Sequence, residues 1–182
     1  ALVECIIALG SNVGDRDGNL RRAISLIGAR TRLVAASSIY ETEPMYREDQ
    51  AWFLNCVVVV ETEIEPLALL RWLKEAEVNM GRDPLAERNA PRVIDMDILF
   101  YGERVISAPS LNVPHPGIAE RAFVLIPLAE VRPLLVHPVL GKSVTQLLQE
   151  MRAPTRAVKR SGPLSGFSPS QPQRPEPPEA SP

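Results

Sequence analysis

The segment Arg92-Val93-Ile94-Asp95-Met96-Asp97-Ile98-Leu99 carries the clearest chemistry in the chain. In a strand, residues two apart point to one face. Asp95 and Asp97 then share a face, and Ile94, Met96, Ile98 and Phe100 share the opposite, core-facing one. Adjacent carboxylates repel unless positive charge lies between them. A hard divalent cation answers that need, because Mg²⁺ takes carboxylate oxygens and keeps positions for substrate phosphates. Salt bridges to Arg82, Arg88 or Arg92 on a solvated sheet face answer it equally well. The arginines add the planar, bidentate geometry that suits phosphate.

A second constellation is Trp52-Phe53-Leu54-Asn55-Cys56-Val57. Phe53 and Asn55 share one strand face, while Leu54, Cys56, Val58 and Val60 take the other and read as core. An aromatic face beside an amide can stack on a flat heterocycle and pair with its polar edge. The competing reading is a Phe covering an apolar edge and an Asn bonded in a turn. A third stretch, Pro114-His115-Pro116 with Arg121-Ala122-Phe123, sets a His, an Arg and an aromatic on irregular backbone. Other motifs fail. Gly141-Lys142-Ser143 lacks the earlier P-loop glycine, since that position is Val136. Asp15 to Asn19 resembles a calcium loop, but Leu20 and Leu26 occupy the glycine and closing-glutamate positions. There is no Cys/His cluster for zinc and no serine-nucleophile elbow.

These groups need elements to hold them. Val3 to Leu9 reads as a strand ending in Gly10-Ser11-Asn12. Leu20, Ala23, Ile24 and Ile27 keep helical spacing, with Asp15 or Asp17 as cap. Strands are expected at Arg32 to Tyr40, Trp52 to Thr62, Val93 to Tyr101 and Arg104 to Ile106. Pro66 suits the first turn of a helix that buries Leu69, Leu73, Ala76 and Met80 and stops at Gly81. Ser107 to Arg121 reads as irregular. Ser143 and Gln146 form a capping box for a last helix through Met151. This order predicts an α+β, ferredoxin-like α–β–α sandwich with a mainly antiparallel sheet. Two polar loops of about ten residues, 42–51 and 82–92, adjoin the polar strand faces. Loops that long in compact domains usually serve function.

Composition sets the bounds. The chain has 182 residues, 45% hydrophobic and 23% charged, as in ordinary globular domains. Twenty basic against 22 acidic side chains give a net charge of −2, which excludes binding to nucleic acid or membrane through bulk positive charge. The longest apolar run, Cys56 to Val60, falls far short of the ~20 residues of a membrane span. Ala1-Leu2-Val3-Glu4 has no basic region before an apolar one, so no secretory signal is expected there. Cys5 and Cys56 read as buried, reduced thiols, and the cytoplasm is the expected compartment. Near residue 160 the composition changes: residues 161–182 hold seven prolines and five serines. The expected organisation is a domain over 1–160 and a disordered tail over 161–182.

Taken together, Gly10-Ser11-Asn12, Tyr40-Glu41-Thr42, Phe53-Leu54-Asn55, Ala90-Pro91-Arg92 through Asp95-Met96-Asp97-Ile98-Leu99, and Val113-Pro114-His115 with Arg121-Ala122-Phe123 resemble the 6-hydroxymethyl-7,8-dihydropterin pyrophosphokinases of folate biosynthesis. They occur in family order, over about residues 3 to 152. The resemblance implies transfer of the β,γ-diphosphate of ATP to the pterin hydroxymethyl oxygen, with release of AMP. It implies two Mg²⁺ ions held by Asp95 and Asp97. It implies a pterin site of Thr42, Met45, Phe53, Asn55 and Phe123. On the ATP side it implies Leu70, Glu77, Ile98, His115 and Arg121, with Arg82 and Arg92 acting on the phosphates. Mobile loops are expected at 82–92 and 44–50. Asn89 and Pro84 stand where some relatives carry an aromatic and a basic residue. The implied partners are the two small substrates, with no nucleic acid or membrane, and the implied state is a monomer. A non-catalytic pterin or nucleotide module would need no aspartate pair. A ferredoxin-like nucleic-acid binder would want aromatics on a basic sheet.

Overall fold

A computed structural model describes residues 1–44, 49–151 and 157–161. The expected tail over 161–182 lies, from residue 162 on, outside the described residues. The chain runs β1 (Val3–Ser11), α1 (Arg16–Arg30), β2 (Arg32–Ala36), β3 (Ile39–Thr42), β4 (Phe53–Thr62), α2 (Pro66–Asn79) and β5 (Asp95–Tyr101). It continues through β6 (Ile106–Ser107), β7 (Asn112–Val113), a 3-10 turn at Ile118–Glu120, α3 (Ala122–Val131), α4 (Val144–Gln149) and β8 (Ala157–Ser161). The main sheet has the order β5-β1-β4-β3-β8, with β2 also on β4, and every pairing is antiparallel. This is the expected ferredoxin-like order with an added edge strand.

Two cores explain why the central strands read as unbroken apolar runs, since a strand covered on both faces loses its polar alternation. Cys5, Ile7 and Leu9 of β1 and Leu54, Cys56, Val58 and Val60 of β4 pack under α1 and α2. There they meet Leu20, Ala23, Ile24 and Ile27 of α1 and Leu69, Leu73, Ala76 and Met80 beside α2. Ile6, Val57 and Val59 face the other way, onto Val124, Leu125 and Leu128 of α3 and Val144 and Leu147 of α4. Both cysteines are free and buried, and burial pushes each thiol up to about 12. No helix among the described residues is long and apolar enough to cross a membrane.

The local signals behave as their chemistry requires. Asp15 caps α1 by accepting from the Gly18 amide at 3.1 Å. Ser143 and Gln146 form the capping box, although α4 stops at Gln149 rather than Met151. The expected strand over 32–40 is broken at Ser37-Ser38. Ser37 Oγ accepts from the Val57 amide at 2.9 Å, and the Ser38 amide and hydroxyl each donate to Glu130 at 2.6 Å. These side chains compete with the ladder for backbone groups. The strand expected at 104–106 lies at 106–107 instead, and pairs with β7 inside the stretch read as irregular.

Three features depart further from expectation. Helix α3 carries no sequence signal that we read: its N-cap makes no side-chain bond and Pro127 sits inside it. Phe100 does not share a face with Met96 and Ile98. The ladder slips, with Ile6 opposite Phe100 and Ile7 opposite Ile98, so Leu99 is an extra residue. Leu99 and Phe100 therefore both reach the α3–α4 core. Strand β8, which carries no sequence signal that we read, ends at Ser161 and pairs with β3 from Thr42 to Ile39. Lys159 Nζ lies 3.8 Å from Glu130, which also receives Tyr40 Oη at 3.1 Å.

If β8 closes the sheet edge, deleting residues 162–182 should leave the melting temperature nearly unchanged. Deleting 157–182 should lower it by several degrees, since each 1 kcal/mol shifts a domain of this size by about 2–4 °C. Calorimetry of the two truncations and the full chain checks this; equal melting in all three would remove β8 from the folded unit.

Candidate active site

Register across the sheet builds the site. Gly10 of β1 stands opposite Asp95 of β5 on one side and Asn55 of β4 on the other. Ala8 stands likewise between Asp97 and Val57. Directly paired residues share a face, and strands lie about 4.8 Å apart, so Asp95 and Asn55 sit about 10 Å apart across a floor of two small residues. A Cβ on Gly10 would come within 2.8 Å of Asn55 Oδ1 and 3.5 Å of Phe53 Cδ1. The missing side chain makes the hollow.

The resulting cavity has a volume near 380 Å³. It is lined by Thr42, Phe53, Asn55 and Phe123 together with Arg92, Asp95, Asp97, His115 and Arg121. Thr42 and Asn55 are buried, and Asn55 Nδ2 donates to Thr42 Oγ1 at 2.5 Å. That bond leaves the amide's Oδ1 and one N–H for a ligand. Phe123 sits in the first turn of α3, and the Arg121 guanidinium lies 5.7 Å from its ring centroid. Gly117 makes room for Arg121: a Cβ there would lie 2.6 Å from Arg121 Nε.

The charged end is a network. Asp95 receives Arg82 Nη1 and Arg92 Nη1, each at 2.9 Å. Arg82 also donates to Glu77. Glu77 is 1% exposed and accepts from the Met96 amide at 3.0 Å and from Lys74 Nζ at 2.9 Å. Lys74 Nζ also donates to the Met96 carbonyl at 3.1 Å and lies 3.8 Å from Asp97 Oδ1. Burial pushes the Asp95 carboxyl up, but Arg92, Lys74 and Arg82 together outweigh it and hold it below the ordinary range. Asp97 has less cationic support; burial and then the Asp95 charge raise it to about 7. The pair therefore carries an unmet demand for positive charge at Asp97.

His115 is anchored by its amide to the Leu99 carbonyl at 3.0 Å, and its Nδ1 accepts from the Gly117 amide at 3.1 Å. Burial, then the Arg121 charge, lower it to about 4, so the ring is neutral at pH 7.

Nine of the expected site residues thus line one cavity, and Glu77 and Arg82 join it through Asp95 and Met96. Leu70 is half-buried on α2, one turn before Lys74, and does not line the cavity. The Ile98 side chain is core, so only its backbone could meet a ligand. Met45 lies outside the described residues. Lys74 went unread, although it stands three residues before Glu77 on a helix with a regular apolar stripe. Ala8 and Gly10 went unread as a floor; two small residues at alternate positions beside two polar-faced strands were the signal.

The fold and this cavity define an α–β–α sandwich with an aromatic-lined hollow beside a carboxylate–arginine cluster. The model of one family, 7,8-dihydro-6-hydroxymethylpterin-pyrophosphokinase (HPPK), matches residues 6–133, and the chain belongs to that family. It is 46% identical over 127 residues to the Bacillus subtilis 2-amino-4-hydroxy-6-hydroxymethyldihydropteridine pyrophosphokinase, covering 69% of this chain and 75% of that protein. To the protein of the same name in Methylorubrum extorquens it is 40% identical over 153 residues, covering 82% and 94%. To the folic acid synthesis protein fol1 of Pneumocystis carinii it is 40% identical over 146 residues, covering 80% of this chain but 20% of that protein. The chain thus spans about a fifth of the length of such larger relatives. A crystal structure of a Plasmodium falciparum HPPK-DHPS triple mutant shares the fold, with TM-score 0.67, 19% identity, and coverage of 82% of this chain and 42% of that one.

The depressed His115 yields a pH expectation. Its folded value of about 4 lies below the ordinary 6.5, so the unfolded chain takes up the proton first as pH falls. The contribution present above pH 6.5 is then lost progressively toward pH 4. Asp97, raised to about 7, acts in the opposite sense between 3.8 and 7. The informative readout is therefore a difference. Between pH 6.5 and 4, wild type should lose more stability than His115→Gln in urea titrations; parallel curves would refute the neutral buried ring.

Proposed function

We propose that this domain transfers the β,γ-diphosphate of ATP to the hydroxymethyl oxygen of 6-hydroxymethyl-7,8-dihydropterin and releases AMP. The observation that carries the reading is the row Asp95–Gly10–Asn55, which spaces a carboxylate held by two arginines and an amide beside Phe53 about 10 Å apart on one floor. Membership of the pyrophosphokinase family supports it.

The pterin would lie between Phe53 and Phe123, with its polar edge on Asn55 and the backbone near Thr42. Its hydroxymethyl group would then point along the floor toward Asp95 and Asp97. In the reaction the hydroxymethyl oxygen bonds to the β-phosphorus, the bond from that phosphorus to the α-phosphate oxygen breaks, and the hydroxyl proton is released. Such an in-line displacement chiefly needs positioning and charge neutralisation.

The donor set fits Mg²⁺. Asp95 and Asp97 offer hard oxygens on one face, and no third acidic, His or Cys ligand joins them among the described residues. Remaining positions would be filled by phosphate oxygens and water, the usual arrangement for Mg²⁺ brought in with a nucleotide. When bound, the two ions supply neutralisation of the charge on the transferring diphosphate. Arg82 and Arg92, which share Asp95, would turn to phosphate oxygens, for which a planar guanidinium is well suited. Arg121 and the neutral His115 would line the nucleotide side; Leu70, Glu77 and the Ile98 backbone would complete it. The net charge of −2 favours small-molecule partners over nucleic acid or membrane. A monomer in the cytoplasm completes the proposal.

Incubation with ATP, Mg²⁺ and the hydroxymethyl dihydropterin should yield AMP; ADP would indicate a different transfer. Phe123→Ala and Asn55→Ala should each weaken pterin binding by about 2- to 10-fold, given stacks of about 0.5–1.5 kcal/mol, and should spare nucleotide binding. Equal loss of both ligands by calorimetry, with folding intact, would reject the pocket assignment.

Asp95→Asn and Asp97→Asn keep shape and remove one charge each. Magnesium affinity and kcat should both fall, and the double mutant should lose much less than the two singles combined, as residues acting as a unit do. If magnesium titrations of turnover superimpose on wild type, the pair serves salt bridges alone.

A further inference from the structure

In an antiparallel ladder, alternate residues of an edge strand point their N–H and C=O away from the neighbouring strand. Met96, between the two aspartates on the edge strand β5, is such a residue. Its amide donates to Glu77 Oε1 at 3.0 Å, and its carbonyl accepts from Lys74 Nζ at 3.1 Å. Lys74 and Glu77 stand three apart on α2 and are joined at 2.9 Å. One acceptor and one donor on the helix thus stand in for the peptide groups of a further strand.

The same clamp fixes a charge. With two acceptors holding it, Lys74 Nζ lies 3.8 Å from Asp97 Oδ1. Asp95 takes Arg82 and Arg92, and Arg82 also meets Glu77. Lys74, Arg82 and Arg92 therefore balance Glu77, Asp95 and Asp97 among themselves. A divalent cation arriving alone would put two positive charges in excess at this cluster. A cation arriving on a nucleotide brings phosphate charge with it. The two arginines have phosphate oxygens to turn to, but Lys74 cannot withdraw without stripping a carboxylate that is 1% exposed. Lys74 is also absent from the cavity lining, so it acts through Asp97 and Met96.

We propose that Lys74 is a positioning residue that keeps the aspartate pair closed to a bare divalent cation, so that metal entry depends on phosphate. This rests on the reading of Asp95 and Asp97 as ligands of nucleotide-borne Mg²⁺. The Lys74 side chain is 44% exposed, so a water-like dielectric applies. Removing its charge should then tighten binding of a bare cation on the order of tenfold.

Mn²⁺ serves as the probe, its free fraction read by electron paramagnetic resonance at low ionic strength, where charges are least screened. Without nucleotide, Lys74→Gln and Lys74→Met should each bind Mn²⁺ about tenfold more tightly than wild type, and Lys74→Arg should match wild type. A Gln amide is a neutral donor and a Met side chain donates nothing, so equal gains assign the effect to charge rather than to the clamp. The gain should vanish when Asp97→Asn is added. With α,β-methylene ATP present, wild type should retain Mn²⁺ beyond what the nucleotide binds alone, and Asp97→Asn should weaken that retention. An unchanged affinity in Lys74→Gln, a gain in Lys74→Arg, or a gain that survives Asp97→Asn overturns the role of Lys74 while the functional reading stands. Nucleotide-dependent retention undiminished in Asp97→Asn would instead sink the functional reading.

Discussion

A buried carboxylate holds the site in register. Glu77 has almost no access to water, so its charge must be met inside the protein. One oxygen takes the Met96 amide, the peptide group between Asp95 and Asp97; the same carboxylate takes Lys74 and Arg82. A single side chain thus joins the end of α2, the start of β5 and the start of the 82–92 loop. The direction of both aspartates follows from where that peptide is held. Removing Glu77 would leave the Met96 amide without its acceptor and strip Arg82 and Lys74 of one partner each, a loss larger than that of an exposed ion pair.

The rest of the geometry follows from the sheet. Antiparallel register places Asp95, Gly10 and Asn55 in one row without any loop having to fold to bring them together. Sites built on strands are more sharply placed than sites built on loops. Here the strands carry the aspartates, Phe53 and Asn55, while α3 and its approach carry Phe123 and Arg121.

Much of this was legible in the sequence. Period-two alternation put Asp95 with Asp97 and Phe53 with Asn55, and helical spacing found the buried faces of α1 and α2, because each pattern reports local geometry directly. What escaped was non-local. Helix α3 is defined by its packing on the sheet and contains a proline, so local propensity argued against it. The break at Ser37-Ser38 depends on Glu130, some ninety residues later. Phe100 turned to the other face because of one extra residue in the ladder, which no alternating pattern can announce. Strand β8 ends just where composition turns poor in apolar residues, and backbone pairing with β3 and an ion pair from Lys159 to Glu130 hold it.

The extra residue has an effect beyond the turn of one ring. β5 is the last strand on its side of the sheet, and an open edge is a template on which another chain can pair. At Leu99 the carbonyl accepts the His115 amide, and the segment from Pro114 to Gly117 lies against the strand at that point. An irregular edge with one of its acceptors already taken is a poor template for a foreign strand. The departure from regular pleating that anchors His115 therefore also guards the protein against growing by strand addition, a protection against aggregation in a crowded cell.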